Sequence, residues 1–412
     1  MNLPVNASRA ARLNRVQILE AVQRAGTISR SELVRATGLT PATITNAVRE
    51  LVDRRLLAET GRAAPRLAAR AGAPSYLLAL NREQLRVLAV HQGVTGTRLG
   101  IADVAGTLVA EDALDNVPGE SPRVAVRRMA DGLRALVAGQ GLARGRIAGL
   151  GVGAVGLVDP GRDTVRTAPN LGWSEVPLGP WLAGELGLPV VVRNNVHGMA
   201  AGELRVRGVP EPCALYLYVG FGVGGAVVAG GRVLEGAHGA AGEVGHLAVR
   251  GGGRCTCGKT GCLETVASER VLAERAQALF GGGPGPAKSA VRRLVDLAEA
   301  GDLGARQVVD RAARALGEAL AQAVEILDLG AVIVSGEIAR ARRSVLEPLA
   351  ATLRESAFAV RGRQVEVRGT AVAKPGLVGA ATLALDAFVF HPEAEILAER
   401  VPAPLLRGAA SG

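Results

Sequence analysis

The stretch that decides the fold of this 412-residue chain is EVGH at residues 243–246, followed eight residues later by CTCGKTGCLE at residues 255–264. These two segments contain three of the four cysteines of the chain and one of its five histidines. Three thiolates and one imidazole match the tetrahedral Cys3His shell of a structural zinc site, in which protein atoms fill all four positions and leave none for a reactive water. The alternative is a set of buried or disulfide-paired cysteines. We predict that Zn2+ stabilises this loop by binding to His246, Cys255, Cys257 and Cys262.

The composition is that of a globular protein with two or three domains, because 48% of the 412 residues are hydrophobic. No basic segment followed by an apolar one stands at the N-terminus, so no secretory signal is expected, and thiols in a metal site fit a reducing compartment. We therefore expect a cytoplasmic protein. One long uncharged run, residues 213–231, raises the alternative of a membrane span. Its six glycines favour a hairpin of buried strands instead, and we expect no membrane contact.

Positive charge is concentrated in the first fifth of the chain. Residues 1–80 contain twelve Arg, no Lys and five acidic residues, so 12 − 5 = +7 of the total +10 lies there. A local excess of guanidinium groups suits a polyanion such as the DNA backbone.

The same 80 residues predict a helix, a short turn, a helix and a wing. Apolar residues recur at helical spacing from residue 14 to residue 24. Ser29 is a predicted N-cap of a second helix, with Glu32 as its capping-box partner. Thr40 is a predicted N-cap of a third helix that has Pro41 at its first position.

Two predicted strands, residues 56–60 and 75–78, flank an arginine-rich loop that would form the wing. The polar face of the third helix would offer short side chains and one guanidinium to base edges in a major groove. The alternative is a three-helix interaction module with a solvated basic loop, but we favour winged helix-turn-helix DNA binding. The candidate DNA-binding residues are Thr40, Thr43, Asn46, Arg49, Arg62 and Arg66.

The remainder of the chain predicts an α/β protein of two related lobes. Residues 87–102 and residues 215–229 each read as strand, glycine-bearing turn and strand, as in hairpins that approach a phosphate. Alternating strands and helices follow each hairpin, among them a long helix over residues 305–327.

The order and spacing of several segments resemble the ROK family of sugar kinases and sugar-responsive repressors. The segments are the hairpin at 87–102, APNLGW at 168–173, RNNVH at 193–197, GAAGEVGH at 239–246 and the cysteine cluster. The resemblance implies an actin-like, ribonuclease H-like fold of two lobes. It also implies a sugar site between the lobes, lined by Asn170, Asn194, Asn195, Glu243, His246 and Glu264.

Three positions depart from the kinase pattern that the resemblance implies. Asn195 stands where the kinases have an aspartate base, and an amide cannot take a proton from a sugar hydroxyl at neutral pH. His91 stands where an aspartate would help to hold metal-ATP, and Phe221 replaces a threonine that would contact phosphate. We therefore expect no enzymatic activity, with sugar binding retained.

We expect a sugar-responsive transcriptional regulator, most simply a repressor, whose partners are operator DNA, a sugar or sugar phosphate, and a second copy in a homodimer or higher oligomer. A phosphorylated sugar is included because Asn195 is neutral and Arg193 lies close to it in sequence. The alternatives are an active kinase with a fused DNA-binding module and a constitutive DNA-binding protein whose body only dimerises.

The expected domains are a winged helix over residues 1–80 and a sugar-kinase-like body over residues 81–395. The body would divide into one lobe of about 81–200 plus the C-terminal helix, and a second lobe of 201–375. Residues 396–412 are expected to form a disordered tail.

Overall fold

A computed structural model describes residues 3–62, 76–281, 286–358 and 364–390 of the chain. The predicted disordered tail, 396–412, lies outside these ranges. The fold class expected from the sequence is confirmed: a small winged helix precedes a two-lobed α/β body. No helix in these ranges combines the length and the apolar character that crossing a bilayer requires.

Three helices and a three-stranded sheet form the N-terminal unit. The elements are α1 (Leu3–Ala25), β1 (Ile28–Ser29), α2 (Arg30–Thr37), α3 (Pro41–Asp53), β2 (Leu57–Arg62) and β3 (Tyr76–Leu80). The Ser29 side chain accepts from the Glu32 amide at 3.3 Å and the Glu32 carboxylate accepts from the Ser29 amide at 3.0 Å, which confirms the capping box. Thr40 caps α3 as predicted, accepting from the Thr43 amide at 3.2 Å. Helix α1 begins at Leu3, well before residue 14, where the apolar periodicity of the sequence starts. The periodicity indicated only the part of the helix that packs on the core.

The first lobe is built on a five-stranded sheet. Its strands are β4 (Arg86–Gln92), β5 (Gly96–Asp103), β6 (Leu108–Asp115), β7 (Ile147–Ala154) and β11 (Val190–Asn194), in the spatial order β11-β7-β4-β5-β6. The first three strands form an antiparallel meander, and β7 and β11 add in parallel. A smaller sheet of β8 (Leu157–Asp159), β9 (Thr164–Ala168) and β10 (Trp173–Val176) extends this lobe, with α4 (Pro122–Gly139) and α5 (Leu178–Leu186).

The second lobe repeats this topology. Its sheet has the order β14-β13-β12-β15-β16, with an antiparallel meander of three strands followed by two parallel additions. The strands are β12 (Cys213–Val219), β13 (Val223–Ala229), β14 (Arg232–Val233), β15 (Ala331–Ser335) and β16 (Glu366–Gly369). The helices of this lobe are α7 (Glu264–Ala267), α8 (Glu269–Phe280), α9 (Ala287–Ala300), α10 (Leu303–Leu327) and α11 (Glu347–Ser356). The two predicted glycine hairpins are thus the β4–β5 and β12–β13 pairs, and the two lobes are related as expected.

Two helices that follow the last strands of the two large sheets pack against each other. Helix α6 (Asn195–Arg207) follows β11, and helix α12 (Pro375–Leu385) follows β16. A Cβ atom added at Gly202 would stand 3.2 Å from the backbone of Gly379, and one added at Gly379 would stand 2.5 Å from the backbone of Gly198. The two backbones therefore touch without side chains between them, as in other helix pairs that meet at small residues.

The winged helix shares a hydrophobic core with the first lobe. Buried residues of α1 to α3, such as Ile18 and Leu51, belong to the same apolar cluster as Val87 of β4 and Leu377 of α12. The chain after α12, residues 386–390, joins this cluster through Phe390, which is buried. The N-terminal unit is therefore packed against the body and is not a separate domain on a flexible linker.

Candidate functional site

The predicted metal ligands form one tight cluster. The ligand atoms of His246, Cys255, Cys257 and Cys262 all lie within 4.8 Å of one another. The Cys257 and Cys262 sulfurs are 3.7 Å apart, and His246 Nδ1 is 3.7 Å from the Cys255 sulfur. Ligands at zinc bond lengths on the corners of a tetrahedron stand about 3.6–3.8 Å apart. The cluster therefore has the spacing that a tetrahedral metal ion requires.

Backbone bonds fold the cysteine segment into a compact hairpin. The amide of Cys255 donates to the carbonyl of Lys259 at 2.8 Å, and Ala248 pairs with Cys262 as an isolated bridge. Burial raises the pKa of the Cys255 thiol to about 12, whereas a hydrogen bond from the backbone amide of Lys259 lowers the pKa of Cys257. A bound dication would displace the thiol protons and reverse the effect of burial.

Two carboxylates flank the cluster. Glu264, the first residue of α7, accepts from the Cys255 thiol at 3.2 Å and from the amide of Val223 at 3.4 Å. Glu243 lies 3.8 Å from His246 Nε2, the ring nitrogen opposite the one that faces Cys255. Burial raises the pKa of Glu243, although the nearby histidines oppose this shift. The metal loop thus presents one imidazole and two carboxylates beside the second glycine hairpin.

The predicted asparagines occupy three different environments. Asn194 is the N-cap of α6: its Oδ1 accepts from the amides of Val196 and His197 at 2.8 and 3.3 Å, and its Nδ2 donates to the Gly156 carbonyl at 3.0 Å. Its amide therefore organises the start of α6, and a sugar contact from it stays a prediction. Asn195 is 8% exposed at the first position of the same helix. Asn170 is exposed in the 3-10 turn after β9, and no contact links it to the other predicted residues within the described part of the chain.

Sequence reasoning assigned no role to His197. This side chain is 5% exposed, and its Nε2 lies 2.9 Å from the carbonyl oxygen of Ala241. The contact ties the first turn of α6 to the loop that carries Glu243. The only available signal was the position of His197 at the end of the quoted segment 193–197.

Arg193 is also placed differently from the expectation. Its guanidinium donates to the carboxylates of Asp163, at 3.2 Å, and of Glu235. Asp163 in turn accepts from the amide of Val192 at 2.8 Å. Two carboxylates already pair with Arg193, so its charge does not support the expectation of a phosphorylated sugar, whereas the part of that expectation that rests on the neutral Asn195 stays a prediction.

Several ionisable side chains are largely buried away from the metal cluster, among them His91, Glu269 and Glu337. Burial lowers the pKa of His91 to about 4, helped by Arg98 and Lys288, so the imidazole is neutral at pH 7. Burial also raises the pKa of Glu269 to about 7. The buried carboxylate of Glu337 accepts hydrogen bonds from Nε and Nη2 of Arg292 at 3.0 and 3.1 Å and lies near the ammonium group of Lys288.

The candidate DNA-binding residues lie mainly on α3. Asn46 and Arg49 are exposed on one face of this helix, opposite the buried Ile44 and Val48. The hydroxyls of Thr40 and Thr43 are hydrogen-bonded to each other at 2.9 Å at the start of the helix. Arg62 is the last residue of β2, and the side chain of Arg62 and all of Arg66 lie outside the described residues.

Comparisons with known proteins agree with these features. The family model of the ROK family matches residues 87–387, and that of the MarR family matches residues 12–66. A glucokinase of Halalkalibacterium halodurans is 31% identical over 63% of the chain and 82% of its own length. A xylose repressor of Caldicellulosiruptor bescii is 26% identical over 86% of the chain and 90% of its own length. The crystal structure of a ROK family transcriptional regulator, a homologue of the E. coli MLC protein, has the same fold: TM-score 0.78, 24% identity, 94% of the chain and 98% of that structure.

A winged helix joined to a two-lobed actin-like body with a Cys3His cluster defines a class of transcriptional regulators built on a sugar-kinase fold. The chain belongs to the ROK family, as the sequence resemblance predicted, and carries a MarR-type winged helix. The similarity to the xylose repressor includes the DNA-binding unit, whereas the similarity to the glucokinase covers about the extent of the body.

Proposed function

We propose that this chain is a sugar-responsive transcriptional repressor whose cleft binds a free sugar and whose winged helix binds operator DNA. The observation that carries the proposal is the contrast between two groups of residues. Glu243, His246 and Glu264 lie together beside the metal cluster, whereas Asn195 and a neutral His91 stand where a kinase needs carboxylates. Such a cleft can bind hydroxyl groups without transferring phosphate.

The loss of kinase chemistry follows from the residues at the start of α6 and at the first hairpin. The Asn195 amide cannot accept the proton of an attacking hydroxyl. Mg2+ prefers oxygen ligands, and a neutral imidazole at residue 91 does not supply one. Phe221 adds an apolar ring at the second hairpin, where a hydroxyl would otherwise contact phosphate.

Zinc is the metal that best fits the Cys3His cluster. Three thiolates and one imidazole form a closed shell, so the ion would organise the loop and would not activate water. His246 would bind through Nδ1, since this atom faces Cys255, and would leave Nε2 toward Glu243. Metal binding would thereby fix the imidazole in one wall of the sugar site, and Glu264, two residues after the ligand Cys262, would be held in the same wall by its position in the chain.

A free sugar is the favoured effector over a sugar phosphate. Glu243 and Glu264 face the site, and the guanidinium of Arg193 is already paired with two carboxylates. The two carboxylates would therefore repel a phosphate group, and Arg193 would not offset this repulsion because its charge is already paired.

The DNA-binding unit would read operator DNA through α3 as part of a dimer. Asn46 and Arg49 are exposed on the face that would enter the major groove, with contributions expected from Thr40, Thr43 and the wing arginines. Operator half-sites about one helical turn, roughly 34 Å, apart suit a twofold pair of winged helices. We therefore propose a homodimer as the functional form.

The test begins with selection of a bound duplex from a randomised DNA pool by the full-length protein. Its dissociation constant is then measured with and without D-glucose, D-xylose, N-acetyl-D-glucosamine and D-glucose 6-phosphate. We expect at least one free sugar to weaken DNA binding and the Glu243→Gln variant to lose this response. A Glu274→Gln variant, which removes an exposed carboxylate on α8, is the matched control. DNA affinity that no sugar changes would refute the proposal.

An active kinase is the second candidate, because a glucokinase is 31% identical to the body. A coupled assay of ADP release with the same sugars separates the two functions. We expect no turnover. Turnover that disappears in the Asn195→Ala variant would establish the kinase instead.

A further inference from the structure

Helix α6 connects three functional regions of the molecule. Its first turn lies at the cleft, its third turn contacts the segment that crosses between the lobes, and its last turn contacts the winged helix. Each of these attachments is made by a buried or largely buried polar side chain.

At the cleft, the first turn of α6 contacts both lobes. The Cα atom of Asn195 would stand 3.3 Å from a Cβ atom placed on Gly153 of β7, and Val196 packs closely on Gly224 of β13. His197 reaches the loop that carries Glu243, as described above. A sugar that draws the two lobes together must therefore act on the start of this helix.

In the third turn, Glu203 holds the connection between the lobes. Glu203 is 4% exposed, and its carboxylate accepts from the Thr370 hydroxyl at 2.5 Å and from the Ala371 amide at 3.4 Å. These two residues lie between β16 of the second lobe and α12, which packs on the first-lobe sheet. The position of α6 is thus tied to the segment that must bend when the lobes move.

In the last turn, Arg205 reaches the DNA-binding unit. Its guanidinium donates to Gln23 of α1 at 2.5 Å and to Asp386 after α12, and it stacks 4.4 Å from the centroid of the Phe390 ring. The side chain is only 10% exposed, so these contacts are shielded from solvent. The planar guanidinium group also fixes the directions of its hydrogen bonds. Arg205 therefore joins α6, the C-terminal segment and the winged helix.

Rigid packing allows motion to pass along α6. The backbones of α6 and α12 touch at Gly198, Gly202 and Gly379, so no flexible side chain absorbs a displacement between them. A shift imposed at Asn195 would move the two helices together and carry the Arg205 contact with them.

We propose that α6 transmits cleft occupancy to the winged helix, and that Arg205 is the positioning residue through which the sugar changes DNA affinity. The inference rests on the proposed sugar-responsive function and names its route. Sugar binding reorients α1 through the contact of Arg205 with Gln23, and the paired winged helices lose the spacing that the operator requires. Coupling of this kind between two sites changes affinity by roughly 5- to 150-fold.

The test compares the Arg205→Gln and Arg207→Gln variants of the full-length protein. Both lose one guanidinium from the last turn of α6, but Arg207 is exposed. For each protein we would measure the dissociation constant of the selected duplex with and without saturating D-glucose or D-xylose, and that of each sugar with and without duplex. In Arg205→Gln we expect the ratio of the duplex dissociation constants with and without sugar to fall to about one, while sugar affinity is retained. Arg207→Gln should behave as the wild type.

Linkage supplies a second readout that a loss of stability alone would not produce. In the wild type, duplex and sugar must weaken each other by the same factor, whereas in Arg205→Gln neither should affect the other. A Gln23→Ala variant cuts the same contact from the side of α1 and decides the matter if Arg205→Gln does not fold. We expect its ratio to fall toward one as well.

The outcomes separate this inference from the function on which it rests. A wild-type protein whose DNA affinity no sugar changes would overturn both. A sugar response in the wild type that persists undiminished in folded Arg205→Gln, or in Gln23→Ala when the former does not fold, would overturn the role of α6 alone.

Discussion

Replacement of Glu269 by glutamine is expected to stabilise the protein above pH 7 and to have little effect near pH 4. Glu269 is the first residue of α8 and is 9% exposed. Burial raises the pKa of its carboxyl group from 4.5 to about 7; Lys288 opposes this shift and the Glu337 carboxylate adds to it. Ionised Glu269 therefore costs folding free energy, and a neutral amide of similar size removes this cost.

The pKa difference sets the magnitude and the sign. Each tenfold change in proton affinity is worth about 1.4 kcal/mol, so a pKa of about 7 in place of 4.5 corresponds to about 3 kcal/mol. Between these two pH values the folded protein keeps a proton that the unfolded chain has lost. The free energy of unfolding therefore falls as pH rises from 4.5 to 7, and the full cost applies above pH 7.

His91 gives the opposite slope over nearly the same range. The pKa of its imidazole is about 4 in the folded protein and 6.5 ordinarily, so the unfolded chain takes up a proton first as the pH falls. The stability due to neutral His91 is fully present above pH 6.5 and is lost as the pH falls toward 4. In the wild type the two slopes oppose each other, and the Glu269→Gln variant should reveal the slope of His91.

The assay is urea unfolding followed by circular dichroism at about pH 4.5, 6.5 and 8. We expect Glu269→Gln to gain about 1–3 kcal/mol over the wild type at about pH 8 and almost nothing at about pH 4.5. Glu274→Gln on the same helix removes an exposed carboxylate that pairs with Arg270, and should change stability by about 0.5 kcal/mol or less at every pH. Equal effects of the two substitutions at each pH would refute the reasoning.

Three further predictions concern the metal, the helix contact and the DNA. Chelation of the metal, or Cys262→Ser, should lower the thermal midpoint and weaken sugar binding in calorimetry, whereas Cys213→Ser, outside the cluster, should do neither. Gly202→Ala should destabilise the protein by about 1–3 kcal/mol in urea unfolding, because the new methyl group meets the α12 backbone, whereas Gly184→Ala, in an open helical position, should stabilise it by about 0.5–1 kcal/mol. Arg49→Ala should weaken DNA binding; if Arg49 contacts phosphate, the slope of log affinity against log salt concentration falls by about one, and an unchanged affinity would remove Arg49 from the interface.

Local signals were sufficient for much of the fold. The Ser29 and Thr40 caps act over three residues, and both were predicted from the sequence. The two glycine hairpins were also predictable, because each strand pair is joined by a short turn. The Cys3His cluster was predictable for a related reason: its three cysteines lie within eight residues of one another, and few roles other than metal binding require that spacing.

Contacts between distant segments were not predictable. Arg205 and Gln23 are 182 residues apart, and nothing near either residue signals the other. Arg193 was expected to leave a free positive charge near the cleft, but its partner Glu235 lies 42 residues away on a different lobe. A side chain's charge state depends on such partners, so sequence proximity to the site was a poor guide to its electrostatic effect.

The duplicated topology explains why α6 is suited to signalling. Helix α6 follows the fifth strand of the first sheet, β11, and α12 follows the fifth strand of the second sheet, β16, so the two helices hold equivalent positions in the two lobes. A relative motion of the lobes is therefore a motion of these two helices about their shared contact at Gly202. The winged helix is attached next to the ends of both, through Arg205 and through residues 386–390. A DNA-binding unit attached there would respond to the lobe angle itself, and a cleft that binds sugar without turnover, as proposed, would be sufficient to set that angle.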